Sequence, residues 1–302
     1  MKNSQQNNVS TQSGSIYRQL DRLPSMVGLF GRAVIKSDSF SLGQVLPNLA
    51  NSVKNLRIDK AHLAAYQALM GFNRTSKLPA TYLSMLGFPT ALEIMTDAEF
   101  PMKAMGQVHL NNEITVYKDI ELDANLDLFT AMTGSRVTSR GVEWTLDMHV
   151  NVDNELVWSS SSTMLYRCKT TEPRKPAASI GKQGIAQMWS VDSGLGRRYA
   201  QISGDYNPIH LTSMSAKLFG FKNAIAHGMW SKARCIAALQ DQLPEAGYRV
   251  QANFHRPLFL PSDVLFYQDR QKDHLRFSLF NKSGQQAHLD GYITEDINHA
   301  KL

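Results

Sequence analysis

Cysteine is scarce, with only Cys168 and Cys235 in 302 residues, and the two stand far apart. No disulfide framework can be built from them, and the histidines show no ligand spacing, so no metal site is expected. A reducing, cytoplasmic setting is the expectation. Long apolar runs are missing as well. Nothing approaches the roughly 20 residues of a membrane helix, so no membrane span is expected. The opening MKNSQQNNVSTQSGS lacks the apolar core of a secretory signal and reads as a flexible tail over residues 1–15. No Gly-x-Ser-x-Gly elbow is present. The Gly194-Leu195-Gly196 stretch is not a dinucleotide fingerprint, because Tyr199 stands where the third glycine belongs. These absences leave no cofactor to expect.

What is present is an ordinary globular composition, 43% apolar and 19% charged. The net charge of +6 invites an acidic partner, but the basic residues are scattered. Only Arg197-Arg198 and the KTTEPRK stretch are locally basic, and neither interleaves aromatics as a nucleic-acid face would. No nucleic acid is expected. Phosphates of a small ligand or a carrier group, and a merely solvated basic surface, both remain open.

The chain repeats itself. VDSGLGRRYAQISGDYNPIHLTSMSAKLFGFKNAIAHG, from Val191, slides without a gap over IDKAHLAAYQALMGFNRTSKLPATYLSMLGFPTALEIM, from Ile58. Asp59 then meets Asp192, Tyr66 meets Tyr199, Gly71 meets Gly204, Gly87-Phe88 meets Gly220-Phe221 and Ala91 meets Ala224. Downstream, each half continues with alternating segments, VEWTLDMHVNV and VWSSSSTMLYR in the first, HLRFSLFN and QQAHLDGYI in the second. Each half therefore reads as a short opening strand, a helical region and several antiparallel strands, an α+β pattern. KTTEPRKPAASIGKQG, rich in proline, glycine and lysine, marks the join.

One stretch concentrates chemistry: SGDYNPIHLTSMSAKLFGFKNAIAHGM, residues 203–229. Asn207-Pro208 starts a helix, since Asn caps free N–H groups and Pro at the first position sacrifices no bond. The pattern predicts a helix from Pro208 to the breaker Gly220, then a central helix from about Ala224 to Leu239. Asp205 precedes the first start and His210 follows it. An unbroken helix would place them about 140° apart, so the break is what lets them face one point. His227-Gly228 falls in the first turn of the central helix, where N–H groups lack partners and the dipole favours negative charge. A glycine there allows close approach to the backbone.

The stretch resembles the signature of the MaoC-like, (R)-specific enoyl-CoA hydratases and related 3-hydroxyacyl dehydratases of the hot-dog fold. GRRYAQI upstream and RPLFLPSDV downstream fit as well, and the first half resembles the degenerate N-terminal hot dog of two-domain members. The resemblance implies a double hot-dog fold, two antiparallel sheets each wrapped around a central helix and merged into one continuous sheet. Its parts would be a tail over 1–15, a degenerate domain over 16–168, a linker over 169–188 and a catalytic domain over 189–302. It implies reversible hydration of trans-2-enoyl thioesters to (R)-3-hydroxyacyl thioesters, with an acyl-CoA or acyl-carrier-protein thioester as substrate. Asp205 and His210 would hold one water between them, and the Gly228 N–H would stabilise the charge on the thioester oxygen. Asn207 and His227 would support them. Arg197, Arg198 and Arg256 are candidates for phosphate contact, with surface or interface roles expected for at least two of them. Taken singly, Asp205 as a turn residue, Asn207 as a cap and His210 as a packed histidine are equally ordinary.

The first half serves as a control. The same slide puts Phe72, Arg74 and Lys77 opposite Asp205, Asn207 and His210, and Ile94-Met95 opposite His227-Gly228. It keeps the punctuation without the reactive groups, and resemblance implies that it instead shapes a tunnel for the acyl chain. A non-catalytic acyl-thioester binding protein and a hot-dog thioesterase are the competing readings. With two hot dogs in one chain, either a monomer or a homodimer is compatible.

Overall fold

The computed structural model describes residues 9–12, 15–73, 77–174, 180–182, 184–244 and 246–295. The first half begins with strands β1 (Val9–Gln12) and β2 (Ser15–Leu20), helix α1 (Met26–Ile35) and strand β3 (Asn48–Leu56). Three helices follow, α2 (Lys60–Met70), α3 (Tyr82–Leu86) and α4 (Phe88–Thr96), then strands β4 (Val108–Val116), β5 (Leu126–Thr138), β6 (Gly141–Val152) and β7 (Glu155–Tyr166). The second half opens on strand β8 (Ile185–Val191) and helices α5 (Leu195–Ser203), α6 (Ser213–Lys217) and α7 (Gly228–Ala238). It closes with β9 (Tyr248–Phe254), β10 (Ser262–Arg270), β11 (His274–Asn281) and β12 (Ala287–Thr294).

All twelve strands form one sheet in the order β1-β2-β3-β5-β6-β7-β4-β9-β12-β11-β10-β8. Apart from the leading β1 and β2, each half runs opening strand, third, fourth, fifth, second, and the two halves are mirror-ordered about the β4–β9 pair. That shared topology is stronger support for duplication than the few identities. The seam is antiparallel and runs from Asn111↔Asn253 to Val116↔Tyr248. This is the α+β double hot-dog architecture, with the sheet continuous across both halves.

Alternation explains the strands. In β6, Trp144, Leu146, Met148 and Val150 are buried at every second place, and Trp144 and Trp158 are among the largest fully buried side chains. Both indoles find acceptors, Trp144 Nε1 at Gln107 Oε1 (3.0 Å) and Trp158 Nε1 at the Ala80 carbonyl (2.9 Å). The matched helices α2 and α5 end alike, on Gly71 (φ 83°) and Gly204 (φ 73°), left-handed caps that the gapless slide had placed together.

Several boundaries differ from expectation. Within the segment read as a tail, residues 9–12 form β1 and Ser15 begins β2; its remaining residues lie outside the described ones. β8 starts at Ile185, inside the segment read as a linker, of which residues 175–179 and 183 also lie outside. The gapless slide fails along the first-half helix: α4 starts at Phe88, so its start, not Ile94-Met95, is the counterpart of Gly228. Its side chains from Pro89 to Leu92, with Ile94 and Met95, are buried. Among the described residues no helix is long and apolar enough to cross a membrane.

Candidate active site

The 203–229 stretch is more broken than its pattern predicts. Pro208–His210 is a single 3-10 turn, and α6 is a separate helix. The reason is Thr212, which is extended (φ −146°, ψ 160°) and caps α6 in a reciprocal box with Ser215, so the chain cannot continue helically through it. The central helix begins at Gly228 rather than Ala224. Residues 224–227 are extended because their N–H groups bond outward, Ile225 to the Ile209 carbonyl and Ala226 to the Leu258 carbonyl. An apolar run without a clear period fits either conformation.

These breaks assemble the site. After Gly204 stops α5, the Asp205 N–H donates to Ser203 Oγ (3.1 Å), and Asp205 Oδ1 accepts the Asn207 N–H (3.2 Å). Asn207 caps the 3-10 turn through Ile209 N–H, as expected. His210 is carried by that turn and His227 stands immediately before α7, which brings their rings face to face, centroids 3.7 Å apart and planes 26° apart. Tyr199 of α5 backs the pair, its ring 4.5 Å from that of His227. One donor atom each from Asp205, His210 and His227 lies within 4.8 Å of the others. A single hydrogen bond is too short to span the full 4.8 Å, but one water, with two legs of about 2.8 Å, would bridge it.

Partners fix the tautomers. His210 Nδ1 faces the Ile225 carbonyl at 2.8 Å, so Nδ1 carries the hydrogen and Nε2 keeps the basic lone pair. His227 Nε2 donates to the Asp205 carbonyl (3.1 Å), lies 3.7 Å from Asp205 Oδ2, and leaves Nδ1 buried without a partner. Burial lowers the His210 pKa, offset in part by Asp205 and by the Ile225 carbonyl. Burial, then the neighbouring His210, holds His227 well below the usual histidine value. Burial raises the Asp205 pKa against the opposing pull of His210 and the Asn207 N–H. The cluster is thus a neutral imidazole beside a carboxyl group of increased basicity. The three residues are also the types that bind metals. Stacked rings, however, do not aim two in-plane lone pairs at one point about 2.0–2.1 Å from each, as a zinc ion requires.

Gly228 is the first residue of α7, so its N–H has no acceptor within the helix. A Cβ there would meet the Phe254 ring at 3.1 Å. Of the arginines, Arg198 is committed to Asp192 by two bonds (2.9 and 2.5 Å) and Arg197 donates to the Leu211 carbonyl (3.0 Å). Arg256 is exposed beyond the end of β9. Nothing in the geometry gathers the three at one anion.

Two supporting residues were not foreseen. A Cβ on Gly196 would lie 1.8 Å from the His210 carbonyl oxygen, so only glycine lets α5 approach the turn that carries His210. Its signal was the Gly-x-Gly opening α5, which we read only as a failed nucleotide motif. Lys232, one turn beyond Gly228, is completely buried; its sequence neighbours Ser231 and Arg234 are polar too, so no local pattern marked it out.

Residues 182–281 match the MaoC like domain family. The chain is 34% identical over 252 residues to 3-hydroxyacyl-thioester dehydratase X of Mycobacterium tuberculosis, covering 82% of this chain and 90% of that protein. The crystal structure of HtdX of Mycobacterium tuberculosis superposes with a TM-score of 0.71 at 32% identity, over 81% of this chain and 98% of that one. A MaoC-like dehydratase from Phytophthora capsici shares the fold, with a TM-score of 0.65 at 18% identity over 82% and 95% of the two chains.

Proposed function

This chain belongs to the MaoC-like dehydratase family, and on that premise we propose that it interconverts trans-2-enoyl and (R)-3-hydroxyacyl thioesters, as a hydro-lyase. The observation that carries the reading is the convergence of Asp205, His210 and His227 within 4.8 Å, directly at the start of α7. A thioester carbonyl seated on the Gly228 N–H would have its β-carbon beside that cluster.

The chemistry then follows from the tautomers. In hydration, His210 Nε2 takes one proton from a water while Asp205 accepts the hydrogen bond of the other. The water oxygen bonds to C3, the C2=C3 π pair moves towards the thioester oxygen, and the Gly228 N–H stabilises the resulting enolate. The proton then passes to C2, so that the net change is addition of one water. Dehydration is the reverse. A neutral imidazole is needed at the outset, and burial provides it.

The first half supports this division of labour, since its helix start at Gly87-Phe88 carries no acid or base. Incubating the protein with trans-2-enoyl-CoA of increasing chain length, with chiral analysis of the product, tests the reading. It predicts loss of the conjugated thioester absorbance and formation of the (R)-3-hydroxy product. Release of free thiol would mark a thioesterase instead, and tight binding without turnover would mark a binding protein.

A further inference from the structure

Lys232 is a buried cation near this site whose chemistry the reaction above leaves unused. It sits four residues after Gly228, on the same face of α7, and is 0% exposed. An ammonium there is costly unless every proton is bonded. Its Nζ lies 2.9 Å from the Asn112 carbonyl, 2.5 Å from Asn112 Oδ1 and 3.1 Å from the Val250 carbonyl. Burial pulls the Lys232 pKa well below the usual lysine value, with Glu113 opposing; the three acceptors nevertheless match the three N–H bonds of an ammonium, whereas a neutral amine would turn its lone pair on an oxygen. Asn112 is oriented in turn, its Nδ2 donating to Ser160 Oγ (2.8 Å) and Ser162 Oγ (3.0 Å) of β7.

The partners belong to different halves. Asn112 is on β4 and Val250 on β9, the two strands that join across the seam. A second link lies one turn nearer the site: the His109 ring of β4 is 4.8 Å from the Phe254 ring, which in turn closes on Gly228. We infer that Lys232 is a positioning residue through which the first half, itself without acid or base, holds the Gly228 N–H at the thioester oxygen. Helix α7 is anchored at its second turn to both halves of the sheet, so its first turn cannot drift along it. This rests on the reading that Gly228 receives that oxygen.

The test compares wild type with Lys232→Met, which keeps the volume and removes the donors. It measures kcat and KM on a trans-2-enoyl-CoA, and the near-ultraviolet band of bound acetoacetyl-CoA, whose enolate forms where its oxygen is stabilised. A displaced donor predicts a kcat about 10–100-fold lower with KM within about threefold, and a weaker enolate band at the same occupancy and pH. The Ser160→Ala/Ser162→Ala variant, which frees Asn112 and leaves Lys232 in place, should show the same split more weakly. It decides the matter if Lys232→Met does not fold. Unchanged kcat and enolate band in the folded variants would overturn the inference. A wild-type protein that forms the Lys232-dependent band without hydrating enoyl-CoA would overturn the proposed reaction and leave the positioning role standing.

Discussion

Replacing Gly228 by proline should remove one hydrogen-bond donor and very little else. Gly228 is the first residue of α7, a position where proline's fixed φ suits the helix and its missing N–H is needed by no helical bond. The preceding residue also permits it. A proline disfavours helical geometry just before it, and His227 is already extended at φ −66°, ψ 137°. A Cβ at this place lies 3.1 Å from the Phe254 ring, so Gly228→Ala is the control for that contact. Losing an oxyanion donor typically costs 10²–10³ in kcat, or about 2.7–4 kcal/mol of transition-state stabilisation. The expectation is therefore a proline variant about 10²–10³ slower than the alanine control, with both melting near the wild-type temperature. Initial rates of enoyl-CoA hydration, paired with circular-dichroism melts, give the comparison. A proline variant within about threefold of the alanine control would show that this N–H does not bear the developing charge.

Gly196→Ala would place a methyl group 1.8 Å from the His210 carbonyl oxygen, against an ordinary contact of 3.4 Å or more, so the turn must withdraw by about 1.5 Å. Displacement of that size predicts roughly a hundredfold loss in kcat/KM, and overpacking a melting temperature lowered in step with about 1–3 kcal/mol. Unchanged kinetics would mean that His210 tolerates movement. A third expectation concerns pH. Burial, followed by the charge of Lys232, lowers His109 from 6.5 to about 4. Its folded form therefore binds protons less readily than its unfolded form, and the stability it contributes is complete above pH 6.5 and lost as pH falls towards 4. The loss is at most about 3 kcal/mol. Denaturant titrations at pH 7 and pH 4.5 should show a smaller drop for His109→Phe than for wild type; equal drops would contradict it.

The sequence showed the parts whose signals are local. Asn207 caps the turn that its Asn-Pro pair announced, and Gly71 and Gly204 end matching helices because only a left-handed residue fits there. The architecture of each half was legible for the same reason, through alternation and turn residues. The single helix expected from Pro208 to Gly220 was not correct, because Thr212 satisfies α6 with its side chain, an option that apolar periodicity does not register. Residues 224–227 are extended through bonds to Ile209 and Leu258, partners that no local pattern names. The same limit hid Lys232 and Gly196. Each is explained by an atom elsewhere in the fold, Asn112 for the lysine and the His210 carbonyl for the glycine. The cluster of Asp205, His210 and His227 was legible because an aspartate and two histidines stood near two helix starts, but their stacking and tautomers required the structure.

The most direct test of the account sets Asp205→Asn and His210→Ala beside wild type in one assay, hydration of a trans-2-enoyl-CoA under saturating substrate, with melting curves on the same samples. Asp205 is a quarter exposed at its side chain, and His210, though buried, lies on a 3-10 turn outside the apolar core cluster, so neither change removes an apolar core side chain. The account predicts that wild type forms the (R)-3-hydroxyacyl product. It predicts that each variant stays folded and slows by about 10²–10⁴, the usual worth of a positioned acid or base. Turnover near the wild-type rate in either folded variant would contradict it.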